Sequence, residues 1–376
     1  MAPESVIEVR DTLAGVPSDQ WDSLTGNHPA LRHAFLHALH ETGCATPETG
    51  WTPCYLLLWR ERQLAAAMPL YLKTHSYGEY VFDWAWADAY QRHRLAYYPK
   101  LLCAVPFTPL TGPRILGAST ADRTRLLRAA LDLARDEQRS SLHVLFPDEA
   151  EAKELADHGL LLRRTVQFHW VNQGYTDFDG FLAAMNHEKR KKIRQERRKL
   201  REYGVRFERL RGDQATTREW AFFYDCYRDT YRQHGGSPYL SRGFFARIGQ
   251  TMPEQVLLMI GYRGETPLCA ALYLVGGSRL HGRYWGTEQF VPGLHFEACY
   301  YQAIEYCIAN GIATFEGGAQ GEHKLARGLE PVTTFSTHWL AHPAFAHAVE
   351  GFLLRESKGV EAYLDELSER VPFKVP

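Results

Sequence analysis

The sequence predicts an α/β (α+β) fold made of two similar halves. Apolar runs of strand length alternate with stretches of helical periodicity along the chain. The order hairpin, strand, helix, strand also occurs twice, offset by roughly 200 residues, which reads as a duplicated unit or as chance recurrence of a common order. Finally, 376 residues at 45% hydrophobic content are enough for two domains, expected at 1–165 and 166–376.

The elements follow in order. Leu31, Ala34, Phe35, Ala38 and Leu39 repeat at helical spacing and predict a helix near 29–42. Two apolar runs, 54–59 and 64–73, are split by Arg60-Glu61-Arg62-Gln63 and predict a hairpin. The aromatic-rich run 80–86 predicts a third strand, 121–138 a helix with Leu126, Leu127, Ala130, Leu131 and Leu133 on its apolar face, and 141–146 a strand. In the second half, 255–262 and 268–275 flank Arg263-Gly264-Glu265-Thr266-Pro267 as a hairpin, and 280–286 is a third strand. A helix at 296–309 closes on Asn310-Gly311, and 312–316 is the next strand.

Composition narrows the function classes. Forty-three Lys and Arg against 44 Asp and Glu give a net charge of −1, which argues against a nucleic-acid coat protein or an acidic tail protein. The seven cysteines are odd in number and contain no C-x-x-C pair; Cys103 and Cys269 lie in apolar runs, as reduced buried thiols do. Glu4, Glu8, Arg10 and Asp11 interrupt the N-terminus, so no secretory signal is expected. No apolar run approaches the ~20 residues of a membrane span. The expectation is a cytoplasmic protein.

The strongest local signal lies at 187–206, where ten residues are Lys or Arg and three are Glu. This segment carries +7 and leaves −8 on the rest of the chain. A helix of about 17 residues, roughly 25 Å long, is expected over 187–203, with Gly204 as its C-cap. It reads as a solvated face with Glu–Arg pairs, or as a phosphate or RNA contact. The consecutive cations Lys189, Arg190, Lys191 and Lys192, followed by Arg194, repel one another and favour the second reading.

Aromatic clusters stand at 80–86, 168–170 and 283–285. Core packing is one reading; the other is the lining of a groove for an extended ligand, with Trp86, Tyr284 and Trp285 as candidates. Glu79, Asp83 and Asp88 stand among such aromatics, placed either to hold a cationic amine or act as base, or to make strand-edge hydrogen bonds. His33, His37 and His40 share one helix face without a carboxylate or Cys partner, so no metal site is expected. His75 and His281 flank or sit in the third strands and are proton-shuttle or structural candidates. There is no P-loop, no strand-linked G-x-G-x-x-G and no G-x-S-x-G, so no phosphate cradle of those types and no serine nucleophile is marked.

Several phrases together carry a family resemblance. They are Ser76-Tyr77-Gly78-Glu79-Tyr80-Val81-Phe82-Asp83 with Trp86-Ala87-Asp88-Ala89-Tyr90, Tyr97-Tyr98-Pro99-Lys100-Leu101, and Val105-Pro106-Phe107-Thr108-Pro109 with Thr111-Gly112-Pro113-Arg114. The basic helix, His281-Gly282-Arg283-Tyr284-Trp285-Gly286 and the stretch from Phe315 to Lys324 complete the set. Over about 28–372 the chain resembles the FemAB-like predicted N-acyltransferases, of the superfamily with the GNAT acetyltransferase fold. The resemblance implies two tandem GNAT-like domains, each a mixed, mostly antiparallel sheet flanked by helices. It also implies an acyltransferase that joins an acyl or aminoacyl group to a small amine or peptide amine. The donor would be aminoacyl-tRNA or acyl-CoA as co-substrate, with no tightly bound cofactor.

Within that frame Lys324 matches the Lys that ends a similar strand–loop in Fem-type proteins, and is expected to stabilise an oxyanion or a donor phosphate. Glu316 or His323 would accept the amine proton. A Gly-rich turn with a surface Lys is the plainer alternative. Arg283-Tyr284-Trp285-Gly286-Thr287-Glu288 is the nearest approach to the coenzyme A motif Q/R-x-x-G-x-G/A. Its terminal Glu would repel a pyrophosphate, leaving Arg283 as a donor contact and an ordinary coenzyme A site in doubt. The rival readings are an acetyl-CoA-dependent small-amine N-acetyltransferase and a non-catalytic RNA-binding protein.

Overall fold

The computed structural model describes residues 5–318 and 321–373. The chain divides into two units. One runs to Thr165 and adds Thr333–Glu361; the other comprises Val166–Val332 and the residues from Ala362 onward. Residues 333–361, counted with the second half from sequence, thus pack with the first. The reason is pairing: Ser336–Leu340 runs antiparallel to Ser141–Leu145, with Thr337 opposite Val144.

The first unit holds a three-stranded antiparallel sheet, Ser5–Arg10, Tyr55–Arg60 and Gln63–Met68. A second sheet orders Trp51–Pro53, Leu70–Lys73, Lys100–Cys103, Ser141–Leu145 and the strand ending at Leu340. Only the pairing of Lys100–Cys103 with Ser141–Leu145 is parallel among these. Helix Thr120–Asp136, capped by the Ser119 side chain, buries Leu126, Leu127, Ala130 and Leu131 in a cluster with Leu56, Met68, Leu101 and Val144. The expected helix at 29–42 is a turn at Pro29–Leu31 followed by helix His33–Glu41.

The third strand expected at 80–86 does not form. Tyr80 takes a left-handed φ of 63°, and helix Trp84–Arg92 begins within the run. Lys100–Cys103 occupies the sheet position instead. Aromatic content favoured a strand, but Ser76, Glu79 and Asp83 all turn inward to the buried ammonium of Lys100, which an alternating strand cannot do.

The second unit orders its strands as the end of Leu161–Val171, then Thr314–Glu316, Arg279–Thr287, Thr266–Gly276, Val256–Arg263 and Val205–Arg211. Thr314–Glu316 runs parallel to Arg279–Thr287 and antiparallel to the strand ending at Val171. Helices His187–Glu202, Thr217–Gln233 and Arg242–Thr251 flank this sheet, together with a helical run from Leu294 to Ala309 interrupted by a π-helical turn at Glu297–Tyr301. Both units are therefore mixed, mostly antiparallel sheets with flanking helices. All seven cysteines are free thiols.

Candidate functional site

Strand register assembles the centre of the second unit. Glu316 lies opposite His281 on one side and His169 on the other, so three ionisable side chains meet across neighbouring strands. Glu316 is 1% exposed; its carboxylate lies 3.0 Å from His281 Nδ1 and accepts from Arg279 at 2.9 Å. Burial alone would raise its pKa, but His281, His169 and Arg279 outweigh burial and hold it well below the usual carboxylate range. A carboxylate held this firmly in its charged form is a weak proton acceptor, which favours His323 over Glu316 as the expected base.

The chain then turns through Gly317 and Gly318. A Cβ on Gly317 would stand 2.3 Å from Leu329, and Gly318 has φ 83°, so neither position accepts a side chain without strain. The Gly318 carbonyl accepts from Lys324 Nζ at 3.0 Å. Ala319 and Gln320, part of the loop singled out in the sequence, lie outside the described residues. Lys324 sits on the short turn Glu322–Arg327 and is 5% exposed, so it is not a surface lysine. Burial pulls its pKa down to about 8.

Around Lys324 cationic and imidazole groups collect. His323, on the exposed side, meets Tyr300 Oη at 3.1 Å. Its ring lies 6.0 Å from that of His295, which packs on Trp285 at 5.1 Å. Burial, then the fields of His323, Lys324 and Arg327, bring His295 to about 4. Burial together with Lys324 and Arg327 likewise lowers His323. Both imidazoles are thus neutral near pH 7 beside an ammonium, an arrangement suited to a ligand that brings negative charge and an amine that sheds a proton. Sequence reasoning missed His295, Arg327 and His169; only the aromatic cluster Phe168-His169-Trp170 pointed toward the last.

The basic helix is His187–Glu202, N-capped by the Asn186 side chain on Lys189 N at 3.0 Å, with Gly204 at φ 83° beyond its end. Ile193 and Leu200 are its buried residues. Arg190, Lys191, Arg194, Arg197, Arg198 and Arg201 line an open groove of about 1190 Å³, with Asp177, Asp179 and Glu305 also on its lining. Arg194 pairs with Asp179 at 2.9 Å and Arg197 with Glu297 at 2.9 Å. Lys189 and Lys192 do not line this groove, so the expected donor contact divides: Arg190, Lys191 and Arg194 face it, and those two point elsewhere.

Arg283 is the extra residue of a β-bulge, since Leu272 pairs with Tyr284 and Tyr273 with Gly282. Its guanidinium stays beside Tyr284, Nη2 3.0 Å from the hydroxyl. Tyr284 is half-buried and packs on Tyr227 at 4.8 Å and Phe245 at 5.8 Å; Trp285 reaches the imidazole cluster through His295. Gly286 has its own explanation: a Cβ there would lie 2.3 Å from the Cys226 carbonyl oxygen. It lets helix Thr217–Gln233 approach the strand, so the glycine needs no pyrophosphate to account for it.

The first unit contains a different constellation. Lys100, fully buried, donates to Ser76 and Glu79 at 2.8 Å each and to Asp83. Asp83 also accepts from Tyr97 at 2.6 Å, and Tyr97 meets His143 at 3.0 Å. His143 Nδ1 is 2.7 Å from His338 Nδ1. Burial opposes ionisation of Asp83, but Lys100 and then His143 bring it down to about 2. Burial pushes Glu79 up to about 7 against the pull of Lys100. Asp83 is therefore a committed ion-pair partner and not a free base, and Glu79 shares the same ammonium. Trp86, 6% exposed, lies against His338 at 4.9 Å and is core, not a substrate surface. Asp88 is an exposed partner of Arg92. The three helix histidines are occupied separately: His33 by the Leu13 carbonyl, His40 by Ala45 and Tyr55, and His37 by Glu41.

A FemAB-like family model, described as peptidoglycan biosynthesis/recognition, matches residues 12–375. No curated protein matches the chain by sequence. Among solved structures, FemX is 11% identical, covers 92% of this chain and 100% of its own, and has a TM-score of 0.57. L-PGS from Bacillus licheniformis is 9% identical over 92% and 99%, TM-score 0.56. The C-terminal domain (DUF2156) of a putative lysylphosphatidylglycerol synthetase from Agrobacterium fabrum is 11% identical over 76% and 85%, TM-score 0.50. At these identities the likeness is one of fold. Among the described residues no helix is long and apolar enough to cross a membrane.

Proposed function

The chain belongs to the FemAB-like family, and on that premise we propose that it is an N-acyltransferase. It joins an aminoacyl group, delivered on tRNA, to a peptide amine of a peptidoglycan precursor. The observation that carries the reading is a buried ammonium, Lys324, with no ion pair among the described residues, in the same unit as a groove where Arg190, Lys191, Arg194, Arg198 and Arg201 outnumber Asp177, Asp179 and Glu305. Cations spaced along a helix suit a polyanion better than the single pyrophosphate of coenzyme A. The Glu at position 288 weighs against the latter.

In the mechanism the groove holds the donor and Lys324 faces the acyl carbonyl. Its ammonium stabilises the oxyanion as the amine adds, a kind of contribution worth about 10²–10³-fold in rate. His323, neutral and exposed, accepts the proton released by the attacking amine. The C–O bond to the carrier then breaks as the amide forms, and the leaving oxygen takes the proton held by His323. Glu316 fixes His281 and the strand end from which the loop to Lys324 departs.

The test supplies aminoacyl-tRNA and acetyl-CoA separately, with a digest of peptidoglycan peptides as acceptor, and follows amide products by mass spectrometry. Product from acetyl-CoA without RNA overturns the tRNA donor and leaves the acyl-CoA alternative. Binding of tRNA without any product, insensitive to Lys324→Ala, favours RNA binding alone.

A further inference from the structure

We propose that Arg327 is a positioning residue that locks the turn bearing Lys324 onto the basic helix through Glu196. The inference rests on the assignment of Lys324 to the chemistry and of the helix to the donor.

The turn Glu322–Arg327 is six residues of 3-10 helix, a geometry with little stability of its own. Glycines in the left-handed region bound it, Gly321 at φ 102° and Gly328 at φ 86°. Its place must therefore come from side chains. Leu325 enters the core, and Glu322 is held by Arg370 at 2.7 Å. Arg327 does more. It is 5% exposed; its guanidinium stacks 3.7 Å from the Phe296 ring centre and donates to the His323 carbonyl at 3.3 Å and to Glu196 Oε1 at 3.2 Å.

Glu196 is the one acidic residue in the middle of the basic helix, and its second oxygen accepts from Tyr301 at 2.6 Å. The π-helical turn carries both supporting tyrosines. Tyr300 and Tyr301, adjacent in sequence, reach His323 and Glu196 respectively. Glu196 thus sits between the donor-binding helix and the turn that carries Lys324, three residues before Arg327. Arg327 is buried and Glu196 half-buried in this pair, so losing Glu196 would leave a sheltered guanidinium without its anion. Its location links the two functional elements, and a generic stabilising pair would not require that.

The experiment measures trace labelling by acetic anhydride in the full chain from pH 6.5 to 11, with Lys324 modification read by peptide mass spectrometry and thermal midpoints recorded alongside. Wild-type Lys324 is expected to titrate near pH 8, because burial depresses it. Arg327→Ala and Glu196→Gln should each release the turn toward water and move that midpoint up by about one to two pH units, toward an ordinary lysine. Arg327→Lys, which keeps the charge, should restore most of the wild-type profile. A midpoint that stays near 8 in both variants overturns the proposal, whatever the thermal midpoint does. Glu196→Gln, nearly isosteric, serves if Arg327→Ala does not fold. The readout needs neither donor nor acceptor, so it separates from the donor experiment: transfer that survives Lys324→Ala ends the catalytic reading and leaves the labelling result standing.

Discussion

Lys324 Nζ donates to the Gly318 carbonyl across 3.0 Å, and no ion pair to this ammonium occurs among the described residues. An ammonium so placed spends part of its charge on a neutral oxygen, and among the described residues that is its one hydrogen bond. Lys324→Ala is expected to lower turnover by about 10²–10³-fold with little change in donor affinity. On the proposed role the charged form is the active one, and burial brings its pKa to about 8. Wild-type turnover should therefore fall as pH rises through 8. Rate measurements from pH 6 to 10 check both points, and a variant that keeps the high-pH limb sinks the assignment.

The groove yields a second expectation. Arg190, Lys191 and Arg201 line it and make no ion pair among the described residues, whereas Arg197 is tied to Glu297. Replacing the first three with Gln should weaken tRNA binding and flatten the log-affinity against log-salt slope by up to about two to three. Lys189→Gln with Lys192→Gln should do less, because neither lines the groove. Equal losses from the two sets, measured by anisotropy at several salt concentrations, refute the assigned face.

Much of the architecture was legible because it is written in local periodicity. The helix His187–Glu202 with Gly204 after it, the hairpin Val256–Gly276 and the helix Thr120–Asp136 fall where charge, alternation and 3.6-residue spacing put them. The candidate residues were legible as a list, but their contacts were not. The sequence does not show that Glu316 stands in register beside His281 and His169, because no local pattern encodes a pairing across 35 residues. The run at 80–86 failed for a related reason. Lys100 draws Glu79 and Asp83 inward from 21 and 17 residues away, and long-range ion pairing overrode aromatic β-propensity.

That cluster makes Lys100→Met strongly destabilising. Glu79 and Asp83 would remain buried without their shared cation, at a cost of roughly 3–5 kcal/mol for a broken buried pair. The loss should appear as a lower denaturation midpoint with the slope unchanged. A loss under about 1 kcal/mol would mean the loop simply opens to water.

Lys73 gives the last prediction, and its sign can be worked through. Its amine is fully buried, bonds the Tyr77 carbonyl at 3.4 Å and lies over the Trp51 ring at 3.8 Å. Burial pulls its pKa from 10.5 to about 7. Between pH 7 and 10.5 the unfolded chain therefore holds a proton that the folded chain has released, so this group makes the protein more stable as pH rises. Below pH 7 both states are protonated and the burial penalty is constant. In Lys73→Met the penalty is absent at every pH. The stability of Lys73→Met relative to wild type should hence be level below pH 7 and decline steadily from 7 toward 10. Urea denaturation of both proteins at pH 6, 7, 8, 9 and 10 decides it. A difference that is flat across that range shows that Lys73 titrates as an ordinary lysine, and that the cost of burying its charge is relieved by its surroundings.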